Sequence, residues 1–236
     1  MNKIAVCGKG GSGKSVLVRL LAEGLRRRGR RVLVIDSDES NTGLFRMLGF
    51  EKPPEPLVGL LGGKKKLESM LEEAIRSGIP EMQVDLIRQE LQLSDIPSQY
   101  IFEKNDIRLV NIGKILMALE GCACPMGIVS RSFLKRLRLA PDEVALVDME
   151  AGVEHFGRGV ETSIEGVLVV VEPSLDSLEV AEKIHELAGQ IDIADVWVVL
   201  NKITSEKIAA RLTDYLNQRN IQVIGQIHHN TDIFES

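Results

Sequence analysis

The sequence has few aromatic residues, few cysteines and no surplus of positive charge. Aromatic side chains make up 4% of its 236 residues, and there are three cysteines. Three cysteines cannot build the disulfide framework of a small secreted protein, and a closely spaced pair in a reducing compartment more often indicates metal or redox chemistry. With 29 basic and 34 acidic residues and a net charge of −5, the chain lacks the positive field typical of nucleic-acid-binding proteins.

Long apolar runs are also missing. None approaches the ~20 residues of a transmembrane helix, and residues 1–8 lead directly into a predicted strand instead of a signal peptide. We therefore expect a cytoplasmic protein with no membrane partner and no nucleic-acid partner. Hydrophobic residues make up 44% of the chain and charged residues 27%, which indicates a globular protein with a sizeable core.

Short apolar runs rich in β-branched residues recur along the chain, and segments with helical spacing lie between most of them. Runs without polar alternation are typical of strands buried on both faces of a parallel sheet. The pattern predicts an α/β fold, a doubly wound and mostly parallel sheet of about seven strands with helices on both faces. Its ligand should bind at the carboxyl ends of the strands. The runs are residues 4–6, 32–35, 109–112, 144–147, 167–171, 196–200 and 221–224.

The first predicted strand is followed by Gly8-Lys9-Gly10-Gly11-Ser12-Gly13-Lys14-Ser15, which opens a predicted helix. This is the context that a phosphate loop requires. Backbone N–H groups of such a loop surround the phosphates, Lys14 reaches the β and γ phosphates, and the Ser15 hydroxyl ligates Mg²⁺. The predicted nucleotide-binding residues here are Gly8, Gly10, Gly11, Ser12, Gly13, Lys14, Ser15 and Val16.

Lys9 is not needed by an ordinary phosphate loop, because Lys14 already serves the nucleotide. The pattern resembles the deviant Walker A family of ATPases, which includes MinD, ParA and the nitrogenase iron protein. The resemblance implies that Lys9 reaches across a twofold axis to the nucleotide of a partner copy, much as an arginine finger acts in trans. We therefore expect a homodimer that binds MgATP between its two copies, with Lys9 and Lys14 both catalytic.

Residues 50–106 interrupt the alternation of strands and helices. They begin with a proline-rich stretch at 53–56 and contain one plausible helix at 67–76. We predict a single ATPase domain over residues 1–236, with this insertion on the nucleotide-facing side. Two interpretations of the insertion remain equally open: it contacts a partner, or it is a surface excursion with no function of its own.

Acidic residues follow two predicted strands. By similarity to the first switch motif of the family, Asp38 orders the attacking water or a water on Mg²⁺, and Asn41 is a nearby switch residue. Asp148 ends an apolar run, as a Walker B aspartate does, and should hold Mg²⁺ through water. Gly152 lets the chain approach the γ-phosphate and starts a second switch loop.

Asn201-Lys202 closes the sixth predicted strand and indicates where the base binds. Guanine-specific proteins carry an aspartate two residues after the lysine, and here that position is Thr204. The guanine donors would stay unpaired, so ATP is favoured, with Asn201 at the adenine edge. We expect His228 and His229 to flank the base. Metal binding is the less favoured alternative, because an isolated pair of histidines is more often part of a polar loop.

Cys122 and Cys124 provide two thiols in one loop. Two thiolates are half of a tetrahedral site for a soft metal, and the same loop of a partner copy would complete a Cys₄ site on the twofold axis. The alternative is two small buried residues, and Cys7 is expected in the core.

The phosphate loop, the Cys122-x-Cys124-Pro125 motif and residues 148–159 together resemble the CooC-type nickel-insertion ATPases. The resemblance implies one Ni²⁺ or Zn²⁺ per dimer and ATP-dependent nickel delivery to apo carbon monoxide dehydrogenase or the related acetyl-CoA synthase. It also implies that Gly152, Glu154, His155 and Arg158 form switch II.

Two other functions stay open. A positioning ATPase of the MinD/ParA type predicts a terminal amphipathic membrane helix or a basic DNA-binding face, and neither is visible in the sequence. An electron-transfer ATPase like the nitrogenase iron protein takes one cluster cysteine from each of two separate segments, whereas both cysteines here lie in one tripeptide.

Overall fold

The computed structural model describes residues 2–38, 43–78, 86–87, 89–113, 124–157 and 159–230. One eight-stranded sheet forms its centre. The strands are β1 (Lys3–Gly8), β2 (Arg31–Asp36), β3 (Ile101–Lys104), β4 (Ile107–Asn111), β5 (Glu143–Asp148), β6 (Gly166–Val171), β7 (Val196–Ile203) and β8 (Gln222–His228). They lie in the order β3-β4-β2-β5-β1-β6-β7-β8. Every neighbouring pair in this sheet is parallel except β3 with β4.

Helices cover both faces of the sheet, as predicted. They are α1 (Lys14–Arg26), α2 (Leu44–Met47), α3 (Lys64–Arg76), α4 (Cys124–Arg136), α5 (Glu154–Gly157), α6 (Leu175–Gln190) and α7 (Glu206–Asn217). Apolar side chains of α1 and α2 pack on one face, and those of α3, α4, α6 and α7 pack on the other. Strands β5 and β6 are buried along their whole length, which explains the apolar runs at residues 144–147 and 167–171. In the described residues, no helix is long and apolar enough to cross a membrane.

The sheet has one strand more than the seven predicted. Strand β3 pairs antiparallel with β4 at the edge of the sheet, and its last two residues are exposed. The turn between the two strands consists of Asn105 and Asp106, with φ of 52° and 59°. Such positive angles at both turn residues are typical of a tight hairpin. The Asn-Asp dipeptide was thus the sequence signal for the missed strand.

The insertion of residues 50–106 contacts the sheet both at the carboxyl ends of its parallel strands and at their amino ends. Pro56 bridges to Asn111 at the carboxyl end of β4. In contrast, residues 92–98 help to line a cavity of about 540 Å³ together with Arg31 and Glu143, the first residues of β2 and β5. The prediction that the whole insertion lies on the nucleotide-facing side is therefore wrong for residues 92–98. Contact with a partner stays a prediction.

Candidate nucleotide site

A glycine-rich loop, residues 8–13, joins β1 to α1 at the carboxyl edge of the sheet. At Gly8, with φ of 141°, a Cβ would lie 2.6 Å from the carbonyl oxygen of Val170. At Gly13, with φ of 99°, a Cβ would clash with the side-chain amide nitrogen of Asn201. Neither position accepts a side chain, so glycine is needed for the tight turn into α1. The turn leads into a helix N-terminus, an end that attracts phosphate.

Two side chains from β7 hold this loop from behind. The amide nitrogen of Asn201 donates to the carbonyl oxygen of Ser12 at 2.8 Å, and Nζ of Lys202 donates to the carbonyl oxygen of Gly11 at 2.6 Å. Lys202 has a φ of 57°, a left-handed backbone conformation that is uncommon for a lysine. Both residues therefore brace the phosphate loop. The predicted contact of Asn201 with the adenine edge stays a prediction.

Below the loop, Ser15 and Asp148 form a close pair. The Ser15 hydroxyl donates to Oδ2 of Asp148 at 2.6 Å, and Asp148 is fully buried at the end of β5. Its other oxygen, Oδ1, finds no hydrogen-bond partner among the described residues. A buried acceptor without a partner is costly in a folded protein and is often explained by an ion or water that completes it. The pair can thus supply hard oxygen ligands to Mg²⁺ or its waters.

Two more aspartates lie at this edge of the sheet. Asp36 at the end of β2 is the register partner of Asp148, and Asp38 follows two residues later; both are buried. Burial raises the pKa of Asp148 to about 7, and the nearby charges of Asp36 and Asp38 add to the rise, against the Ser15 hydrogen bond and the charge of Lys14. A cation bound here would relieve this repulsion.

A cavity of about 450 Å³ opens beside the loop. This volume is in the range of small-molecule sites. Apolar groups from α1, α2 and β8 line one part, and the phosphate loop, Lys14, Ser15 and Asp38 line another. Its lining residues are Gly11, Gly13, Lys14, Ser15, Val16, Asp38, Met47, Asn201, Lys202, Ile227, His228, His229 and Asn230. Most of the residues predicted to bind a nucleotide thus surround one cavity.

Lys9 points to an acidic pair in its own chain. Its Nζ lies 3.3 Å from Oε1 of Glu172 and 3.6 Å from Oδ2 of Asp176. Glu172 directly follows β6, and Asp176 lies in the first turn of α6. Lys14, by contrast, is buried and donates to the carbonyl oxygen of Lys9 at 3.4 Å. The two lysines of the loop therefore differ in both burial and partners.

Comparison with known proteins agrees with this geometry. The sequence model of the CobQ/CobB/MinD/ParA nucleotide-binding domain matches residues 3–236. The chain belongs to this MinD/ParA family. An uncharacterized ATP-binding protein of Methanocaldococcus jannaschii is 39% identical to it over 233 residues, which cover 99% of this chain and 90% of that protein. The carbon monoxide dehydrogenase accessory protein CooC of Rhodospirillum rubrum is 34% identical over 231 residues, which cover 98% of this chain and 85% of that protein.

Solved structures of the MinD/ParA family share the fold. The MinD cell division protein of Aquifex aeolicus superimposes with a TM-score of 0.67 at 17% sequence identity, and the alignment covers 100% of this chain and 85% of that protein. The septum site-determining protein MinD of Pyrococcus horikoshii, in complex with Mg-ADP, has a TM-score of 0.68 at 16% sequence identity. That alignment covers 98% of this chain and 83% of the Pyrococcus chain. This MinD/ParA family chain is thus a nucleotide-binding protein of the ATPase type.

The predicted second switch stretch of this MinD/ParA family protein begins next to the phosphate loop. The backbone N–H of Gly152 donates to the carbonyl oxygen of Gly8 at 3.2 Å. His155 is 2% exposed, its Nε2 lies 3.1 Å from the carbonyl oxygen of Gly152, and its ring packs on Phe156. Glu154 opens α5, but its side chain and all of Arg158 lie outside the described residues, as does Asn41. The switch roles therefore stay predictions.

The structure describes the cysteine motif only in part. Cys122 lies outside the described residues, and Cys124 is described only as the first residue of α4. Cys7 is buried in the core, as expected. In the described part of the chain, no group of three or more His, Cys, Asp or Glu side chains could hold a metal ion. The metal-binding role of Cys122 and Cys124 stays a prediction.

Sequence reasoning missed the contributions of Asp36 and Glu172. Both come at the carboxyl end of a buried parallel strand, β2 and β6 respectively. That position was a usable signal, because the ends of parallel strands meet at the ligand-binding edge. The contacts of Glu172 with Lys9 and Lys202, however, join residues more than twenty positions apart and follow only from the fold.

Proposed function

We propose that this MinD/ParA family protein hydrolyses MgATP and uses the cycle to deliver a metal ion to a client enzyme. The observation that carries the ATPase part is the buried Ser15–Asp148 pair, in which the second carboxylate oxygen of Asp148 has no hydrogen-bond partner among the described residues. Ser15 would hold the Mg²⁺ of MgATP, with Asp148 and Asp38 contacting it through water. These oxygen donors suit Mg²⁺, which neutralises charge on the phosphates.

The residues that surround the nucleotide cavity have separate tasks in this proposal. Lys14 contacts the β and γ phosphates, and Asp38, which lines the cavity, orients the attacking water. Asn201 and Lys202 keep the loop in place from behind. His228, His229 and Asn230 surround the base, and the missing acid at Thr204 favours adenine over guanine.

Two copies would bind face to face, with Lys9 of each reaching the nucleotide of the other. An added cation at the γ-phosphate stabilises the charge of the transition state, as trans-acting arginines do. Such a dimer also brings two Cys122-x-Cys124 motifs together. Four thiolates would hold one Ni²⁺ or Zn²⁺ as cargo.

Nickel delivery to apo carbon monoxide dehydrogenase, or to acetyl-CoA synthase, in the cytoplasm is the client function that we favour. It is supported by the 34% identity to CooC across 98% of the chain and by the Cys-x-Cys motif. The more similar Methanocaldococcus jannaschii relative has no client in its name. The two candidate clients, carbon monoxide dehydrogenase and acetyl-CoA synthase, must therefore be compared directly.

The experiment combines purified protein with each apo-enzyme, nickel and ATP under anaerobic conditions. We expect activation of one client to need ATP and the wild-type protein. Lys14→Ala should abolish activation together with ATP turnover. Equal activation by nickel alone, or by Lys14→Ala, would contradict the maturation function.

A further inference from the structure

We propose that Glu172 is a positioning residue that holds Lys9 inside its own protomer until a second copy binds. The proposal deepens the proposed function, because it rests on an ATP-dependent dimer in which Lys9 acts in trans. The geometry that points to it is one carboxylate shared by two lysines. Oε1 of Glu172 lies 3.3 Å from Nζ of Lys9, and Oε2 lies 2.9 Å from Nζ of Lys202.

The carboxylate of Glu172 is held firmly. Its backbone N–H donates to the Ser177 hydroxyl at 3.1 Å, and the start of α6 is capped by Ser174. The side chain is 17% exposed. Burial disfavours its charged form, but hydrogen bonds from Lys202 and Lys9 outweigh this and lower the pKa of Glu172. The glutamate is therefore an anion in the physiological range and a fixed partner for both lysines.

The two lysines are not held equally. Lys202 has a second partner, the carbonyl oxygen of Gly11 at 2.6 Å. The other acidic contact of Lys9 is Asp176, which lies 3.6 Å away and is 75% exposed, where solvent weakens an ion pair. When Lys9 leaves, Glu172 keeps Lys202 and no charge is left buried without a partner. Lys9 can thus be released at low cost.

Release of Lys9 is a step that dimerisation must include. A lysine that contacts Glu172 cannot at the same time reach a nucleotide across a twofold axis. The γ-phosphate of ATP in the partner offers a stronger anion than a single carboxylate, whereas ADP does not. Glu172 therefore opposes pairing in the ADP state and yields in the ATP state, which makes the dimer respond to the nucleotide.

The test is Glu172→Gln, which keeps the size of the side chain and removes its charge. Dimer dissociation would be measured by sedimentation at saturating concentrations of a non-hydrolysable ATP analogue. Wild-type dimerisation breaks two partly buried Lys9–Glu172 ion pairs, one in each copy, and the variant has none to break. We therefore expect the dissociation constant of the variant dimer to be about 5- to 30-fold lower than that of the wild type. Glu172→Asp, which keeps the charge but withdraws it, should give a smaller shift. Asp176→Asn, as the matched control, should change little.

A merely structural role of Glu172 predicts the opposite pattern. If it acted only through Lys202 on the phosphate loop, Glu172→Gln would weaken nucleotide affinity, as Lys202→Met should, and would not tighten the dimer. In the Lys9→Ala background, which we expect not to dimerise, Glu172→Gln should not restore a dimer, because its effect acts through Lys9. If the wild type dimerises with the analogue but the Glu172→Gln dimer is equally stable or weaker, the proposed role of Glu172 is overturned and the dimeric function is not. Absence of any wild-type dimer with the analogue would overturn the dimeric function as well.

Discussion

Asp148 combines a structural cost with a functional need. It is fully buried, its Oδ1 has no partner among the described residues, and burial raises the pKa of its carboxyl to about 7. A carboxyl whose pKa is higher in the folded state than in the unfolded state favours folding when protonated. This stability is fully present below the unfolded pKa of 3.8 and is lost as the pH rises through about 7.

We therefore predict that Asp148→Asn stabilises the nucleotide-free protein at pH 8, by about 2 to 4 kcal/mol, and that this gain shrinks steadily as the pH falls from about 7 towards 3.8. Thermal denaturation over this pH range, with a chelator present, measures the difference. MgADP should stabilise the wild type more than the variant, because the variant lacks the charge that supports Mg²⁺. Identical pH profiles of the two proteins would contradict this account of Asp148.

The two lysines of the phosphate loop should fail in different ways when they are replaced. Lys14 is buried against the loop, whereas Lys9 contacts Glu172 and is 33% exposed. Lys14→Ala should abolish nucleotide binding in a calorimetric titration. Lys9→Ala should leave binding largely intact but remove hydrolysis and ATP-dependent dimerisation. Wild-type turnover in Lys9→Ala would remove the case for a trans-acting lysine.

At the scale of elements, β7 acts on the nucleotide through the phosphate loop. Asn201 donates to the loop at Ser12, so its loss should affect phosphate binding and not the choice of base. We predict that the wild type prefers ATP to GTP in a competition assay and that Asn201→Ala weakens both nucleotides by a similar factor, about fivefold for one hydrogen bond. A selective loss of ATP would instead show that Asn201 reads the adenine edge. A wild-type preference for GTP would overturn the interpretation of Thr204.

The elements differ in how far the sequence predicted them. Parallel strands such as β5 and β6 were predictable because burial on both faces leaves continuous apolar runs. Strand β3 was missed because it is short, antiparallel and half exposed. The phosphate loop was predictable because its chemistry lies within eight consecutive residues. The partner of Lys9 was not, because Glu172 approaches it only when β6 and β1 pair in the sheet.

At the scale of the whole molecule, the number of metal ligands decides how many chains a metal site needs. One chain offers two thiolates, from Cys122 and Cys124, and a closed tetrahedral site for Zn²⁺ needs four ligands; we expect a comparable thiolate site for Ni²⁺. We predict one ion per two chains and a shift from monomer to dimer when the metal is added. Metal analysis of anaerobically purified protein and sedimentation measure both quantities. Because a thiol must lose its proton to bind, the affinity should fall as the pH falls.

The double variant Cys122→Ser, Cys124→Ser tests the origin of these ligands. It should lose both the metal and the metal-dependent dimer but keep ATP binding through Lys14 and Ser15. The matched control is His228→Ala, His229→Ala, because both histidines line the nucleotide cavity and His228 contacts Glu206 at 3.1 Å. This control should keep its metal. One ion per monomeric chain, or unchanged metal content in the cysteine variant, would move the site away from the cysteines and make the histidine pair the next candidate.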